Sequence, residues 1–326
     1  MLNIAVIGAG RIGRIHARNV ADHAQAHLVG IADVHTPSAE ALAVATGSRV
    51  LTMAEAFAAD AVVIGSPTAT HADHIETAAR AGRAIFCEKP IDLDTARVEQ
   101  CLAVVARAGV PLMVGFNRRF DPSFATLKRR LAAGEVGRLE MLTIISRDPA
   151  PPPASYVAGS GGLFRDMMIH DLDLARFLMA EEITSVFAVG SCLIDPEIGA
   201  AGDVDTAMVT LTTASGAICQ ISNSRRAAYG YDQRIEAHGA AGLLRAGNQT
   251  ATTIEVANSR GFTTDPALPF FLERYAAAYC AELDAFVDAV THGIAPAPGG
   301  EDGLAALRLA DAATRSAQTG EVVRLG

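Results

Sequence analysis

The first 33 residues constrain this chain more than any later stretch. "NIAVI", residues 3–7, is a short apolar run of strand character, and "GAGRIG" follows at once, with glycines at 8, 10 and 13. "RIHARNVADH" then reads as a helix, and "HLVGIAD" as a second strand ending at Asp33, 20 positions after Gly13. Glycines alone would make any turn. Strand, glycine turn, helix and a strand closing on an acid form the pattern of a dinucleotide-binding βαβ unit. Gly8 permits the tight turn, Gly10 removes the Cβ that would block a pyrophosphate, and Gly13 lets helix and strand pack closely. The helix N-terminus offers unpaired N–H groups and its dipole to phosphate. Arg11 and Ile12 belong to the same turn. A carboxylate at Asp33 accepts hydrogen bonds from an adenosine ribose and repels a 2′-phosphate. Val34 and His35 follow it, with no arginine to receive such a phosphate, so the expected cofactor is NAD rather than NADP.

The alternation of strands and helices continues through "AVVIGSPTATHADHIETAARAG", "AIFCEKP", "TARVEQCLAVVARAG" and "PLMVGFNRRF". A doubly wound parallel sheet binds ligands beyond the carboxyl ends of its strands. Ser66, Pro67, Thr68, Glu88, Lys89, Asn117 and Arg118 all fall at such ends. His71 and His74 lie three apart near a helix start; two ligands fall short of a zinc site, and a polar cluster beside the cofactor fits His71 better. Two readings of Lys89 stand. It is a solvated lysine past a strand end, or an ammonium stiffened by Pro90 at the mouth of the nucleotide crevice, able to donate to a substrate hydroxyl.

A length of 326 residues suits two domains of ~100–200 residues each, and half of the residues are hydrophobic. After about residue 120 the pattern changes to a helix, a Pro/Gly/Ser loop and several strand-like runs, among them "ITSVFAVGSCLI", "DQRIEAHGAAGLLRAG" and "TTIEVANS". "ASGA" and "GAAG" read as hairpin turns. The expectation is a Rossmann domain over residues 1–119 and an α+β domain over 120–326 with a large, mostly antiparallel sheet, open on one face and suited to another subunit. A net charge of −9 argues against nucleic acid or an anionic membrane as partner. Five cysteines without a C-x-x-C pair read as free thiols of a reducing compartment. The N-terminus has no basic n-region and no signal-peptide cleavage site, and no apolar run reaches a membrane span, so a cytoplasmic location is expected.

"GGLFRDMMIHDLDLARFLM", residues 161–179, reads as a helix that is mostly core, yet it carries Asp166, His170 and Asp173. At about 100° per residue, positions i, i+4 and i+7 share one face, opposite Phe164, Met168, Leu172, Ala175 and Met179. Such a face is catalytic, ligates a divalent metal through carboxylate and imidazole, or is an internally satisfied polar network.

With the glycine turn, "CEKP" and the Asp-x3-His helix together, the chain resembles the Gfo/Idh/MocA oxidoreductases over nearly its whole length, and "GFNRRFDPSF" with "SGGLFRDMMIHDLDLARF" resembles the inositol 2-dehydrogenase branch. The resemblance implies NAD-linked oxidation of a secondary hydroxyl of a cyclic polyol, first of all myo-inositol to 2-keto-myo-inositol. scyllo-Inositol, another isomer or a pyranose sugar are the alternatives. It implies a catalytic set of Lys89, Asp166 and His170 without metal, converging on one alcohol oxygen. Asn117, Arg118 and Asp173 are implied to contact the polyol, although the branch often carries methionine where Asn117 stands. Tyr229, ahead of Tyr231, and Tyr275 are further candidates for the site lining. A homotetramer is implied. Relatives that only bind a dinucleotide and act as regulators tend to lose the lysine or histidine, and this chain keeps both.

Overall fold

The computed structural model describes residues 1–325. Five parallel strands, Leu2–Ile7 (β1), Ala26–Ala32 (β2), Ala61–Ile64 (β3), Ala84–Glu88 (β4) and Leu112–Gly115 (β5), form one sheet in the order β2-β1-β3-β4-β5. Every residue of β3, β4 and β5 is buried, as expected of parallel strands covered by helices on both faces. The crossovers are the helices Arg11–Asp22, Thr36–Thr46, His71–Arg80 and Thr95–Ala108. Local chemistry bounds the last of these. The Asp94 carboxylate accepts from the Ala96 N–H at 2.9 Å at its start, and Gly109, at φ 65°, ends it in the left-handed conformation. The strand order reverses between β1 and β3, where Ile7 pairs with Ile64. That reversal opens the crevice where such sheets bind ligands.

The compact units of the chain do not divide at a single point. The first joins Met1–Phe120 with Ala278–Leu307; the second joins Asp121–Ala277 with the chain from Arg308 on. A boundary at 119/120 leaves the helix Ala276–His292 with the second domain. Its Leu283, Phe286 and Val287 instead enter the core built on Val6, Ile31, Phe86 and Met113. The apolar stripe shows that this helix is buried but not against which sheet.

In the second unit Leu139–Arg147 (β6), Ile183–Ser191 (β7), Thr206–Thr213 (β8), Ile218–Ser224 (β9), Asp232–Gly239 (β10) and Gly242–Ala246 (β11) form a sheet with the short Val323–Arg324 (β14). The order is β11-β10-β6-β9-β8-β7-β14, antiparallel apart from the β6–β9 pair. Both expected hairpin turns are present, joining β8 to β9 and β10 to β11. "TTIEVANS" departs from expectation: Glu255–Asn258 (β12) pairs only with Gly261–Thr264 (β13), as a separate ribbon whose residues are all exposed. One face of the larger sheet buries Leu142, Ile144, Val186, Val209, Leu211, Ile221 and Ile235. The helix Ile169–Met179 packs against β6, and Ser316 of the helix Gly300–Thr319 accepts the Ala188 N–H of β7 at 2.9 Å. No helix among the described residues is long and apolar enough to cross a membrane.

Candidate active site

In the first unit the glycine turn is as tight as its sequence demands. Gly8 sits at φ 106°, and a Cβ there would lie 2.6 Å from the backbone of Gly65. A Cβ at Gly13 would lie 2.0 Å from the Gly8 carbonyl oxygen. Gly10 differs: a Cβ there meets no protein atom within 4 Å. Its glycine keeps open a space outside the protein, as a cradle for an approaching phosphate requires. The helix that Gly10 caps has no side-chain cap and no acidic residue in its first turn, so its leading N–H groups are left for an anion. Arg11, exposed, and Ile12, half-buried, begin that helix. The Asp33 carboxylate accepts from the Ala9 N–H at 2.6 Å and the His35 N–H at 2.7 Å. It thereby ties the glycine turn to the end of β2, with Val34 beside it 98 % exposed. These residues fit a dinucleotide.

At the next strand ends, Ser66 bonds Thr70 through their hydroxyls at 2.7 Å, and the Thr70 hydroxyl donates to the Pro67 carbonyl at 2.8 Å; Thr68 opens the short 3-10 turn between them. The buried His71 ring reaches two carbonyl oxygens, of Pro90 at 2.8 Å through Nδ1 and of Ser66 at 2.7 Å through Nε2. Carbonyls only accept, so both bonds are made together only when both ring nitrogens carry hydrogen. His71 is thus a clamp between two strand-end loops, with no nitrogen left for a metal. His74 packs 6.0 Å from the Phe57 ring, and burial, followed by the charge of His71, pushes its pKa down. Glu88, the last residue of β4, accepts from His16 Nε2 at 2.7 Å. Lys89 follows it, half-buried, before a cis peptide to Pro90. Asn117 and Arg118 are both buried in the 3-10 turn Asn117–Phe120 after β5.

In the second unit the expected single helix is two. Gly162–Asp166 and Ile169–Met179 meet at a widened turn in which the Met168 N–H bonds the Leu163 carbonyl, five residues back, at 2.9 Å. Asp166 therefore ends one helix while His170 and Asp173 ride on the next. Phe164, Met168, Leu172, Ala175 and Met179 are buried, as the periodicity predicts. Asp166 accepts from the Tyr156 hydroxyl at 3.1 Å and faces both terminal nitrogens of the buried Arg225 at 3.5 Å. His170 is half-buried and Asp173 buried. Asp171, overlooked by the periodicity, is fully buried and accepts from Asn223 Nδ2 at 2.9 Å. Tyr229 is 51 % exposed, and its hydroxyl donates to Asp232 at 2.6 Å. Tyr231 and Tyr275 are buried against each other, ring centroids 6.0 Å apart. Among the described residues, one trio of His, Cys, Asp or Glu has the spacing to hold a metal: His16, Glu88 and Glu282. It includes neither His71 nor the Asp166, His170 and Asp173 set.

Residues 2–116 match the family model described as "Oxidoreductase family, NAD-binding Rossmann fold", and residues 124–245 that described as "GFO/IDH/MocA C-terminal domain". The Inositol 2-dehydrogenase of Rhizobium meliloti (strain 1021) is 54% identical over 318 residues, covering 97% of this chain and 96% of that protein. The chain belongs to the Gfo/Idh/MocA oxidoreductase family. The solved structure of a myo-inositol dehydrogenase from Corynebacterium glutamicum ATCC 13032 superposes with a TM-score of 0.96 at 48% identity, over 100% of this chain and 99% of that one. A scyllo-inositol dehydrogenase from Lactobacillus casei, solved with bound NAD(H) and scyllo-inositol, superposes with a TM-score of 0.92 at 31% identity over 99% of each chain. This Gfo/Idh/MocA member is accordingly an NAD-dependent oxidoreductase.

Proposed function

We propose that the chain is an inositol 2-dehydrogenase that oxidises myo-inositol to 2-keto-myo-inositol with NAD. The observation that carries this reading is the 54% identity, over almost the full length of both chains, to the Rhizobium meliloti enzyme of that name. Bound NAD supplies the acceptor for the hydride leaving the carbinol carbon. His170 takes the hydroxyl proton as general base. Asp166 orients the imidazole and stabilises its charged form. Lys89 donates a hydrogen bond to the same oxygen and stabilises the negative charge that develops on it. Asn117, Arg118 and Asp173 hold the remaining hydroxyls, and Tyr229 and Tyr275 complete the lining. The balance is alcohol and NAD to ketone, NADH and one proton.

The test is an NADH-absorbance screen across inositol isomers and aldoses, with NAD and NADP in parallel. Turnover is expected to be fastest with myo-inositol and NAD, and about tenfold or more lower kcat/KM is expected with NADP, whose 2′-phosphate meets Asp33. Faster turnover of scyllo-inositol would favour the second reading, which the bound ligand of the Lactobacillus casei enzyme recommends. No turnover of any polyol would remove the proposal.

We infer further that the open sheet face joins copies of the chain, in a homotetramer of the cytoplasm. The register sets Val189 beside Met208, and aligns Met141 with Ile218 and His238, the last of which pairs with Leu243. Val189, Met208, Met141, Ile218 and Leu243 are all exposed. Exposed apolar side chains on one sheet face suit an interface, and all five cysteines are free thiols. Val189→Arg combined with Met208→Glu is expected to shift the sedimentation profile to smaller species, because the paired charges would have to be buried; an unchanged profile would exclude this face.

A further inference from the structure

Three ionisable side chains meet inside the first unit where the proposed reaction needs none of them. His16 comes from the helix that follows the glycine turn, Glu88 from the end of β4, and Glu282 from the helix Ala276–His292. One ligand-type atom of each lies within 4.8 Å of the other two. His16 and Glu282 are fully buried, and Glu88 nearly so. The geometry also makes room for the cluster. Gly115 pairs with Glu88 across β4 and β5, and a Cβ there would lie 3.1–3.2 Å from the Glu88 carboxylate.

The hydrogen bonding of the trio is unbalanced as it stands. A carboxylate only accepts, so the 2.7 Å contact between His16 Nε2 and Glu88 is donated by the ring. His16 Nδ1 and both carboxyl oxygens of Glu282 have no hydrogen-bond partner among the described residues. An ionised Glu282 would set a second carboxylate beside Glu88 with no donor to receive it among the described residues; an acid carrying its proton avoids that. Burial first, and then the charge of Glu88, push the Glu282 carboxyl well above the usual carboxylate range. The titratable groups that face it are His16 on the first helix and Glu88 on β4, and the Tyr279 ring of its own helix stands 5.8 Å from that of His16.

We propose that Glu282 is a positioning residue: together with His16 it encloses the Glu88 carboxylate and so fixes the tip of β4, on which Lys89 is the next residue. This rests on the proposed role of Lys89. With its proton, Glu282 leaves Glu88 the only negative charge of the trio. As pH rises and Glu282 ionises, a second carboxylate stands beside the first, and the strand end carrying Lys89 is displaced. The sign follows from the upward shift: the arrangement holds at low and neutral pH and is lost as pH rises through the native value.

The test compares wild type, Glu282→Gln and Lys89→Ala by infrared spectroscopy and by kcat against pH. Wild type is expected to show the C=O stretch of a protonated carboxyl at neutral pH, absent from Glu282→Gln. Its kcat is expected to fall about 10–100-fold on the alkaline side, the scale of a displaced reacting group, whereas Glu282→Gln, neutral at every pH, lacks this fall. If Glu282→Gln does not fold, Glu282→Asp is expected to shift both the band and the pH of the fall. An unchanged carboxyl band with superimposable pH profiles would overturn the proposal, as would one divalent ion per chain that is lost on altering Glu282. The two failures are separable: Lys89→Ala with undiminished turnover removes the role of Lys89 but leaves the infrared result standing.

Discussion

Lys89→Ala is expected to lower turnover of myo-inositol by roughly 10²–10³-fold, the usual cost of removing one donor aimed at an oxygen that gains charge in the transition state. The dinucleotide should bind almost as before, since the turn proposed to cradle it, Gly8 to Gly13, belongs to a different segment of the chain. The chain has no tryptophan, so the fluorescence of NADH itself can report binding while absorbance reports turnover. The size of the effect follows from how firmly the lysine is held. The residue before it, Glu88, bonds His16 at 2.7 Å, and the carbonyl of the residue after it, Pro90, bonds His71 at 2.8 Å. A donor on a backbone pinned at both neighbours spends little of its hydrogen-bond energy on reorganisation, which is what makes such a group effective. His170→Ala should lose about 10²–10⁴-fold, and the double variant should be little slower than the worse single, because residues acting on one proton transfer are not additive. Turnover of Lys89→Ala within about threefold of wild type would show that no transition-state interaction was lost.

The parts of the molecule that were legible in the sequence are those in which one local pattern has one physical solution. A glycine turn between a strand and a helix, followed by an acid, admits few arrangements, and the strand residues 61–64 and the turns at "ASGA" and "GAAG" fall where the pattern puts them. The parts that were not legible depend on partners distant in the chain. Periodicity placed the buried face of residues 164–179 correctly. It gave no sign that the chain widens at Met168 and splits the helix after Asp166. Asp171 drew no attention in the sequence, because nothing nearby says that Asn223, 52 positions on, supplies its donor. Arg225 and Asp166 are likewise 59 apart. The helix Ala276–His292 shows its apolar stripe plainly, but only the packing of Phe286 against Phe86 at 5.8 Å assigns it to the first sheet.

The same kind of distant pairing gives the largest expected effect on stability. Asp121 is almost fully buried at the start of the helix Pro122–Ala132, where one carboxyl oxygen accepts from the N–H groups of Ser123 at 3.0 Å and Phe124 at 3.1 Å. The other oxygen accepts from Arg274 Nη1, 153 positions away. Arg274 is equally buried, and its guanidinium lies over the rings of Phe124 at 5.3 Å and Tyr275 at 4.8 Å. Asp121→Ala therefore removes a helix cap and strands a charge that has ring faces but, among the described residues, no other acceptor. A loss of about 3–5 kcal/mol is expected from breaking a buried pair on one side, against ~1 kcal/mol for the cap alone. Asp121→Asn keeps the cap oxygen and loses the charge, so it should fall between these values. Asp121→Ala with Arg274→Met removes both charges and should recover most of the loss, since well-packed apolar residues replace buried pairs at little cost. Urea unfolding of the four proteins measures this as shifts of midpoint at constant slope. If the double variant is no more stable than Asp121→Ala, the stranded guanidinium is not the cause, and the loss belongs to the cap and to packing around Phe124.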